Sequence, residues 1–158
     1  MQTITSKETS LNQLPRVYKT KVFKELSKDV TTIFDLGCGK YNKAKEFCES
    51  LGLTYLGYDK YNRLPEENQK ALEGLKKAKK VLSICSNVLN VINDDETIRT
   101  IAHQLESSQK ALVTVYEGNK SGQGKTTTKG FQRNLKTKEY LKFFNNATVK
   151  ENVIITGR

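Results

Sequence analysis

A glycine turn directly after a short apolar segment constrains the fold of this chain more than any other feature. Residues 31–37 read Thr-Thr-Ile-Phe-Asp-Leu-Gly, a composition typical of a short buried strand, and Cys38 and Gly39 follow. Residues 41–51 then carry apolar side chains at helical spacing, and Gly52 ends that pattern. A strand, a glycine turn and a helix in this order predict the first half of a βαβ unit.

The same alternation continues along the rest of the chain. We predict helices over 15–28, 41–51, 65–79, 94–107 (capped by Asn93) and 137–145, and strands over 31–37, 53–58, 80–86, 111–116 and 149–156. Such alternation predicts an α/β domain with a mainly parallel, twisted sheet flanked by helices. Ligands of these sheets bind at the carboxyl ends of the strands, so function should lie in the turns that follow.

The length and the cysteine usage limit the class of protein. With 158 residues, the chain is expected to form one domain over 1–158, with an N-terminal extension and helix over 1–30. No apolar run approaches the ~18 residues that cross a bilayer, so no membrane association is expected. A polar N-terminus and three cysteines without a CxxC motif favour the cytoplasm, and the cysteines and single histidine lack zinc-site spacing.

An acid ends the second predicted strand. Asp59 lies twenty residues after Gly39, where a carboxylate can accept hydrogen bonds from both hydroxyls of a ribose. The glycines let the backbone approach a ligand closely, and amides of the following helix are expected to face it. Position 42 is Asn and not a third glycine, which argues against a pyrophosphate cofactor such as NAD. The pattern predicts a nucleoside-containing cofactor; the alternative is a tight turn with a surface acid.

These residues resemble the class I S-adenosylmethionine-dependent methyltransferases. The resemblance rests on Asp-Leu-Gly-Cys-Gly at 35–39 and Gly-Tyr-Asp at 57–59, and it covers about residues 31–118. It implies a Rossmann-like fold with S-adenosylmethionine as cofactor. Gly37, Cys38 and Gly39 would then surround the methionine part, Asp35 would help to hold its end, and Asp59 would bind the ribose. Ser86 and Asn87 would lie at the mouth of the active site.

Two further features refine the resemblance. A single predicted helix separates Asp59 from the third strand, so the chain resembles a shortened version without the strand whose end usually contacts adenine. Val-Tyr-Glu-Gly at 115–118 and Ser-Gly-Gln-Gly at 121–124 also occur in small bacterial and phage-borne methyltransferase-like proteins. The resemblance therefore implies a methyltransferase of unknown acceptor.

Few side chains are candidates for catalysis. Asn87 and Asn90 are placed to orient an acceptor amine or ring nitrogen, although capping the next turn explains them equally well. Glu117 ends the fourth strand and either points into the site or is an ordinary strand-end charge. Methyl transfer from a sulfonium chiefly needs alignment, and a base is needed only where the acceptor must lose a proton.

The positive charge is concentrated late in the chain. The formal net charge is +10, and the segment 118–142 is strongly basic. We predict that the loop 118–134 binds nucleic acid through Lys120, Lys125, Lys129, Phe131 and Arg133, with cations on phosphates and one stacked base. A flexible solvated loop explains the same residues. The alternative function is a non-catalytic methyltransferase-like module that contacts nucleic acid or an acidic partner protein.

Overall fold

The computed structural model describes residues 12–128 and 130–158, so residues 1–11 of the predicted extension and Lys129 of the basic loop lie outside it. The strands are β1 (Thr32–Leu36), β2 (Thr54–Tyr58), β3 (Val81–Ser86), β4 (Lys110–Thr114), β5 (Lys125–Thr127), β6 (Gly130–Gln132), β7 (Ala147–Lys150) and β8 (Val153–Gly157). The α-helices are α1 (Lys21–Leu26), α2 (Lys43–Ser50), α3 (Pro65–Lys77) and α4 (Asp95–Ser107). Short 3-10 helices cover Arg16–Lys19, Ser27–Asp29, Leu89–Val91 and Thr137–Phe143.

The main sheet has six strands in the order β2-β1-β3-β4-β8-β7. The first four strands are parallel, whereas β8 runs antiparallel to both β4 and β7. This confirms an α/β fold with a mostly parallel sheet. From β1 the chain moves outward to β2 and then crosses back to β3, so the strand order reverses between β1 and β3. The carboxyl ends of these two strands therefore form the switch point of the sheet.

Both faces of the sheet are covered. On one face, buried residues of β1, β3 and β4 pack with the N-terminal segment and α2, including Ile33, Ile84, Phe23 and Cys48. On the other face, α4 and the Thr137–Phe143 helix pack against the sheet. The first five residues of β3 are buried, including the polar Ser83, as expected for an inner strand that is covered on both faces. Within the two described ranges, each helix is too short or too polar to span a bilayer.

The prediction of one strand over 149–156 was wrong. The segment forms an antiparallel hairpin, with β7 and β8 joined by the two-residue turn Glu151-Asn152. Both turn residues have positive φ, 55° and 58°, the conformation of the tight turns that match the twist of a hairpin. Asn tolerates this region well, but no glycine marks the turn, so the apolar alternation concealed it.

The prediction of one helix over 15–28 was also wrong. Thr20 has an extended backbone, which interrupts the predicted helix. Its Oγ1 accepts a hydrogen bond from the Phe23 amide and caps α1, which begins at the next residue. The carboxylate of Glu151 accepts hydrogen bonds from the amides of Lys21 (3.2 Å) and Val22 (2.9 Å). Arg16 donates in return to the carbonyls of Glu151 and Asn152. These contacts dock the N-terminal segment on the β7–β8 turn.

Other boundaries differ from the predictions. Asp94 and not Asn93 caps α4, because Oδ2 of Asp94 accepts a hydrogen bond from the Thr97 amide. The fourth strand ends at Thr114, two residues before the predicted end. Residues 137–145 contain the 3-10 helix Thr137–Phe143 in place of an α-helix. The predicted loop 118–134 contains the separate hairpin β5–β6.

Candidate functional site

A cleft of about 540 Å³ opens at the carboxyl ends of β1, β2 and β3, and this volume suits a small-molecule ligand. All the residues predicted to contact a cofactor line it, namely Asp35, Gly37, Cys38, Gly39, Asp59, Ser86 and Asn87. They come from three separate turns, which the parallel sheet brings to one edge. The structure therefore gathers the predicted set into one place at the switch point.

Close packing explains the first glycine of the turn. Gly37 has φ +86°, and a Cβ atom there would lie 2.4 Å from Cγ2 of Val88. The amides of Gly37 and Cys38 both donate to the carbonyl of Tyr58, at 2.7 and 3.1 Å. These two amides hold the turn against the end of β2 and do not face a ligand.

Asp59 ties the glycine turn to the turn after β2. Its Oδ2 accepts a hydrogen bond of 2.8 Å from the Gly39 amide. Its Oδ1 accepts from the amides of Tyr61 and Asn62, both at 3.0 Å, and from the Asn62 side chain. A carboxylate oxygen has two lone pairs, so Oδ2 retains capacity for one further donor. The carboxylate is therefore both a structural brace and an acceptor at the wall of the cleft.

Sequence reasoning missed the role of Arg63. Its Nε donates to the carbonyl of Gly39 (2.8 Å), and its Nη2 donates to the carbonyl of Tyr41 (2.9 Å) and to Oδ1 of Asn42 (3.1 Å). Its side chain is only 13% exposed and lies 3.6 Å from the Glu67 carboxylate. No motif indicates this role, because the partners lie 21 to 24 residues earlier and two are main-chain carbonyls.

A buried carboxyl lies at the base of the cleft. Oδ2 of Asp35 accepts hydrogen bonds from the hydroxyls of Tyr18 (2.8 Å) and Tyr55 (2.7 Å). Burial raises the pKa of Asp35 to about 6, although the two phenols oppose the rise. Burial likewise raises the pKa of the Cys38 thiol to about 12, so this thiol stays neutral at neutral pH.

A smaller recess of about 360 Å³ adjoins the cleft at the carboxyl ends of β3 and β4. It shares Arg16, Ser86 and Asn87 with the cleft, and Tyr116, Glu117 and Lys120 form part of its wall. Asn87 has φ +58°, and its amide donates to the carbonyl of Thr114. The structure thus places Asn87 between the two cavities.

The other catalytic candidates differ in their surroundings. Glu117 lines the recess, where its Oε2 accepts a hydrogen bond from the Thr137 amide at 2.6 Å, and this bond lowers the pKa of Glu117. Asn90 is 2% exposed, donates to Oε1 of Gln132 and accepts from the Arg133 amide through its carbonyl. The structure therefore makes Asn90 a brace between segments and does not bring it into either cavity.

The predicted nucleic-acid residues that the structure describes differ in their surroundings. Lys120 lines the recess, whereas Lys125 is exposed on β5 and Phe131 is half-buried on β6. Arg133 donates to the carbonyl of Ile92 (2.6 Å) and to Oδ1 of Asp95 (2.7 Å), and its side chain is 13% exposed. Its guanidinium is thus engaged within the protein.

The segment after β4 is held in place by side chains. The Asn134 amide group accepts from the Asn119 amide and donates to the carbonyl of Gln123 at 2.9 Å. Gln132 donates to the carbonyl of Tyr116, also at 2.9 Å. A Cβ on Gly118 would lie 1.9 Å from Oδ1 of Asn134. The beginning of the predicted basic loop is therefore a braced turn.

Comparison with known proteins gives no independent assignment. No model of a protein family matches the sequence, and no curated protein matches it either.

Proposed function

We propose that this chain is an S-adenosylmethionine-dependent methyltransferase of a shortened class I type. One observation carries the proposal: the glycine turn and Asp59 line a single cleft at the point where the strand order reverses. The passage from β2 through α3 directly to β3 supports the shortened type. The fold alone would suit many functions, so the proposal depends on these side chains.

The residues of the cleft fit a nucleoside with an amino-acid tail. Oδ2 of Asp59 retains acceptor capacity for a ribose hydroxyl. Asp35 contributes a carboxyl at the base of the cleft. The cofactor, when bound, supplies an already activated methyl group. What this chain must add is alignment of the two reactants and exclusion of water.

Proton removal has a small part in the proposed reaction. Glu117 is the acid of the recess, and its hydrogen bond from the Thr137 amide makes it a weaker base. The proposal therefore favours acceptor atoms that need no strong base. Asn87, between the cleft and the recess, is the side chain best placed to orient such an acceptor.

Calorimetric titration with S-adenosylmethionine and with S-adenosylhomocysteine tests the cofactor. Loss of a charge-assisted hydrogen bond costs about 1.5–3 kcal/mol, so Asp59→Ala should weaken binding about ten- to a hundredfold. Asp29→Ala, at an exposed acid away from the cleft, is the matched control and should bind as the wild type does. Absence of binding at millimolar cofactor, or preferential binding of NAD, would refute the proposal.

The second candidate function is a non-catalytic module that binds nucleic acid or an acidic protein. The net charge of +10 and the engaged carboxylate of Glu117 favour it. Transfer of a labelled methyl group from S-adenosylmethionine to cellular RNA, DNA or protein distinguishes the two functions. Transfer would support the enzyme, whereas cofactor binding without transfer to any of the three would favour the module.

A further inference from the structure

We propose that the recess beside the cleft binds one base of a single-stranded nucleic acid, with the ring of Tyr116 against the base and Arg16 and Lys120 on its phosphates. The inference rests on the proposed function, because the recess would then hold the methyl acceptor. It assigns the acceptor class to particular residues, of which only Lys120 belongs to the basic segment identified in the sequence.

The recess adjoins the cleft. Arg16, Ser86 and Asn87 line both cavities, and Oγ1 of Thr114 donates to Oγ of Ser86 at 3.1 Å across the ends of β3 and β4. Two ligands that occupied the two cavities would meet at these residues. Methyl transfer needs donor and acceptor in direct contact, and the recess provides the second position.

The walls of the two cavities carry more positive charge than a cofactor that is itself cationic would require. Their walls carry the cations Arg16, Lys40, Lys43, Lys60 and Lys120. The acids there are Asp35, Asp59 and Glu117, so the cations outnumber the acids by five to three even though the ammonium of Lys120 lies 3.9 Å from the Glu117 carboxylate. S-adenosylmethionine itself has a net positive charge at neutral pH. The field therefore favours a second ligand that is anionic.

The aromatic side chain favours nucleic acid over an acidic protein. Tyr116 is 63% exposed at the wall of the recess. Its carbonyl is fixed by the side chain of Gln132, which holds the main chain that carries the ring. An exposed ring beside cations is the arrangement that stacks bases and binds phosphates, whereas an acidic peptide would use only the charge.

The size and rigidity of the recess favour a single strand. A volume of about 360 Å³ has room for one base, and a base inside a duplex would first have to leave the stack. Arg16 is held by the carbonyls of the β7–β8 turn, and the Lys120 amide donates to the carbonyl of Glu117. The contacts of Arg16 place its guanidinium before a ligand arrives, which reduces the entropy lost on binding, whereas the contact of Lys120 fixes its main chain.

Fluorescence anisotropy with a short labelled single-stranded oligonucleotide, measured over a range of salt concentrations, tests the inference. Tyr116→Ala should weaken binding by roughly five- to a hundredfold, and Tyr116→Phe should retain it, because stacking needs only the ring. Lys120→Gln should reduce the salt slope by about 0.7. Lys76→Gln, an exposed cation in the last turn of α3 at the opposite edge of the sheet, is the matched control and should leave the slope unchanged.

The possible failures are distinguishable. No oligonucleotide binding at low salt, or an equal loss in Tyr116→Ala and Lys76→Gln, would overturn the recess assignment. So would competition by polyglutamate as strong as that by unlabelled oligonucleotide, since that would indicate an acidic protein partner. If S-adenosylmethionine still binds in these cases, the proposed function survives. Oligonucleotide binding that depends on Tyr116 in a protein without cofactor affinity would support the recess site and refute the methyltransferase.

Discussion

The Gly39 amide donates a 2.8 Å hydrogen bond to Oδ2 of Asp59, so the two most informative residues of the sequence are in direct contact. The spacing of twenty residues between them therefore joins two turns of the protein by a hydrogen bond that does not depend on a ligand. Asp59 is 7% exposed and also holds the turn at Tyr61 and Asn62. A residue that fits a ribose acceptor is thus also part of the support for the glycine turn.

This contact predicts a stability cost for Asp59→Ala. The substitution leaves four donors without their acceptor at a nearly buried position, and we expect the free energy of unfolding to fall by about 1.5–3 kcal/mol. Urea unfolding measures the effect. The exposed control Asp29→Ala should change stability by less than about 0.5 kcal/mol. Equal stabilities of the two variants would show that the contacts of Asp59 do not support the fold.

The contact between Gly37 and Val88 predicts a steric effect that can be relieved. Gly37→Ala places a Cβ 2.4 Å from Val88 and in a left-handed conformation, which alone costs about 1–2 kcal/mol. We expect thermal unfolding to show a larger loss than that.

The double variant Gly37→Ala with Val88→Ala separates the two terms. Removal of the Val88 methyl groups should recover the steric part of the loss, and the backbone part should remain. A double variant whose stability equals the sum of the two single losses would argue against the close approach of these residues.

The raised pKa of Asp35 predicts a pH-dependent stability. Its pKa rises from 3.8 to about 6 on folding, so the folded state holds the proton more tightly than the unfolded state. Stability from this group is greatest below about pH 4, falls as the pH rises to about 6, and is constant above, a difference of roughly 3 kcal/mol.

Asp35→Asn removes this titration and retains a polar side chain beside Tyr18 and Tyr55. The stability of the variant relative to the wild type should rise by up to roughly 3 kcal/mol between about pH 4 and pH 7. Urea unfolding of both proteins at each pH measures this difference, in which the titration of the other carboxyls cancels. A difference that does not vary with pH would mean that folding leaves the pKa of Asp35 unchanged.

The hydrogen bonds of Asn134 predict that the turn after β4 resists proteolysis. Asn134→Ala removes the contacts to Asn119 and Gln123, so the turn should open more often and trypsin should cleave after Lys120 or Lys125 several-fold faster. Mass spectrometry of the fragments identifies the sites. Gln69→Ala, at an exposed position on α3, is the control and should leave the rate unchanged. An unchanged rate in Asn134→Ala would mean that other contacts hold the turn.

The sequence by itself determined where the main strands and helices lie along the chain and at which edge of the sheet the site is found. The alternation of apolar runs and helical spacing is a local property, so β1 to β4 and α2 to α4 lie within a few residues of their predicted positions. The conformation of Gly37 and the positions of Asp35 and Asp59 at strand ends follow from this local order. Parallel strands then bring their carboxyl ends together, which makes the gathering of the cofactor residues predictable.

Only the tertiary structure decided which charged groups face the cavities. Arg133 and Arg16 are both basic residues outside the main strands. The guanidinium of Arg133 is bound to Asp95. Arg16 instead lines the recess, where its guanidinium donates to the carbonyls of Glu151 and Asn152. The partners of Arg16 lie 135 and 136 residues away, and local patterns carry no information about contacts at that distance. The same is true of Asp35, whose raised pKa depends on burial that only packing creates.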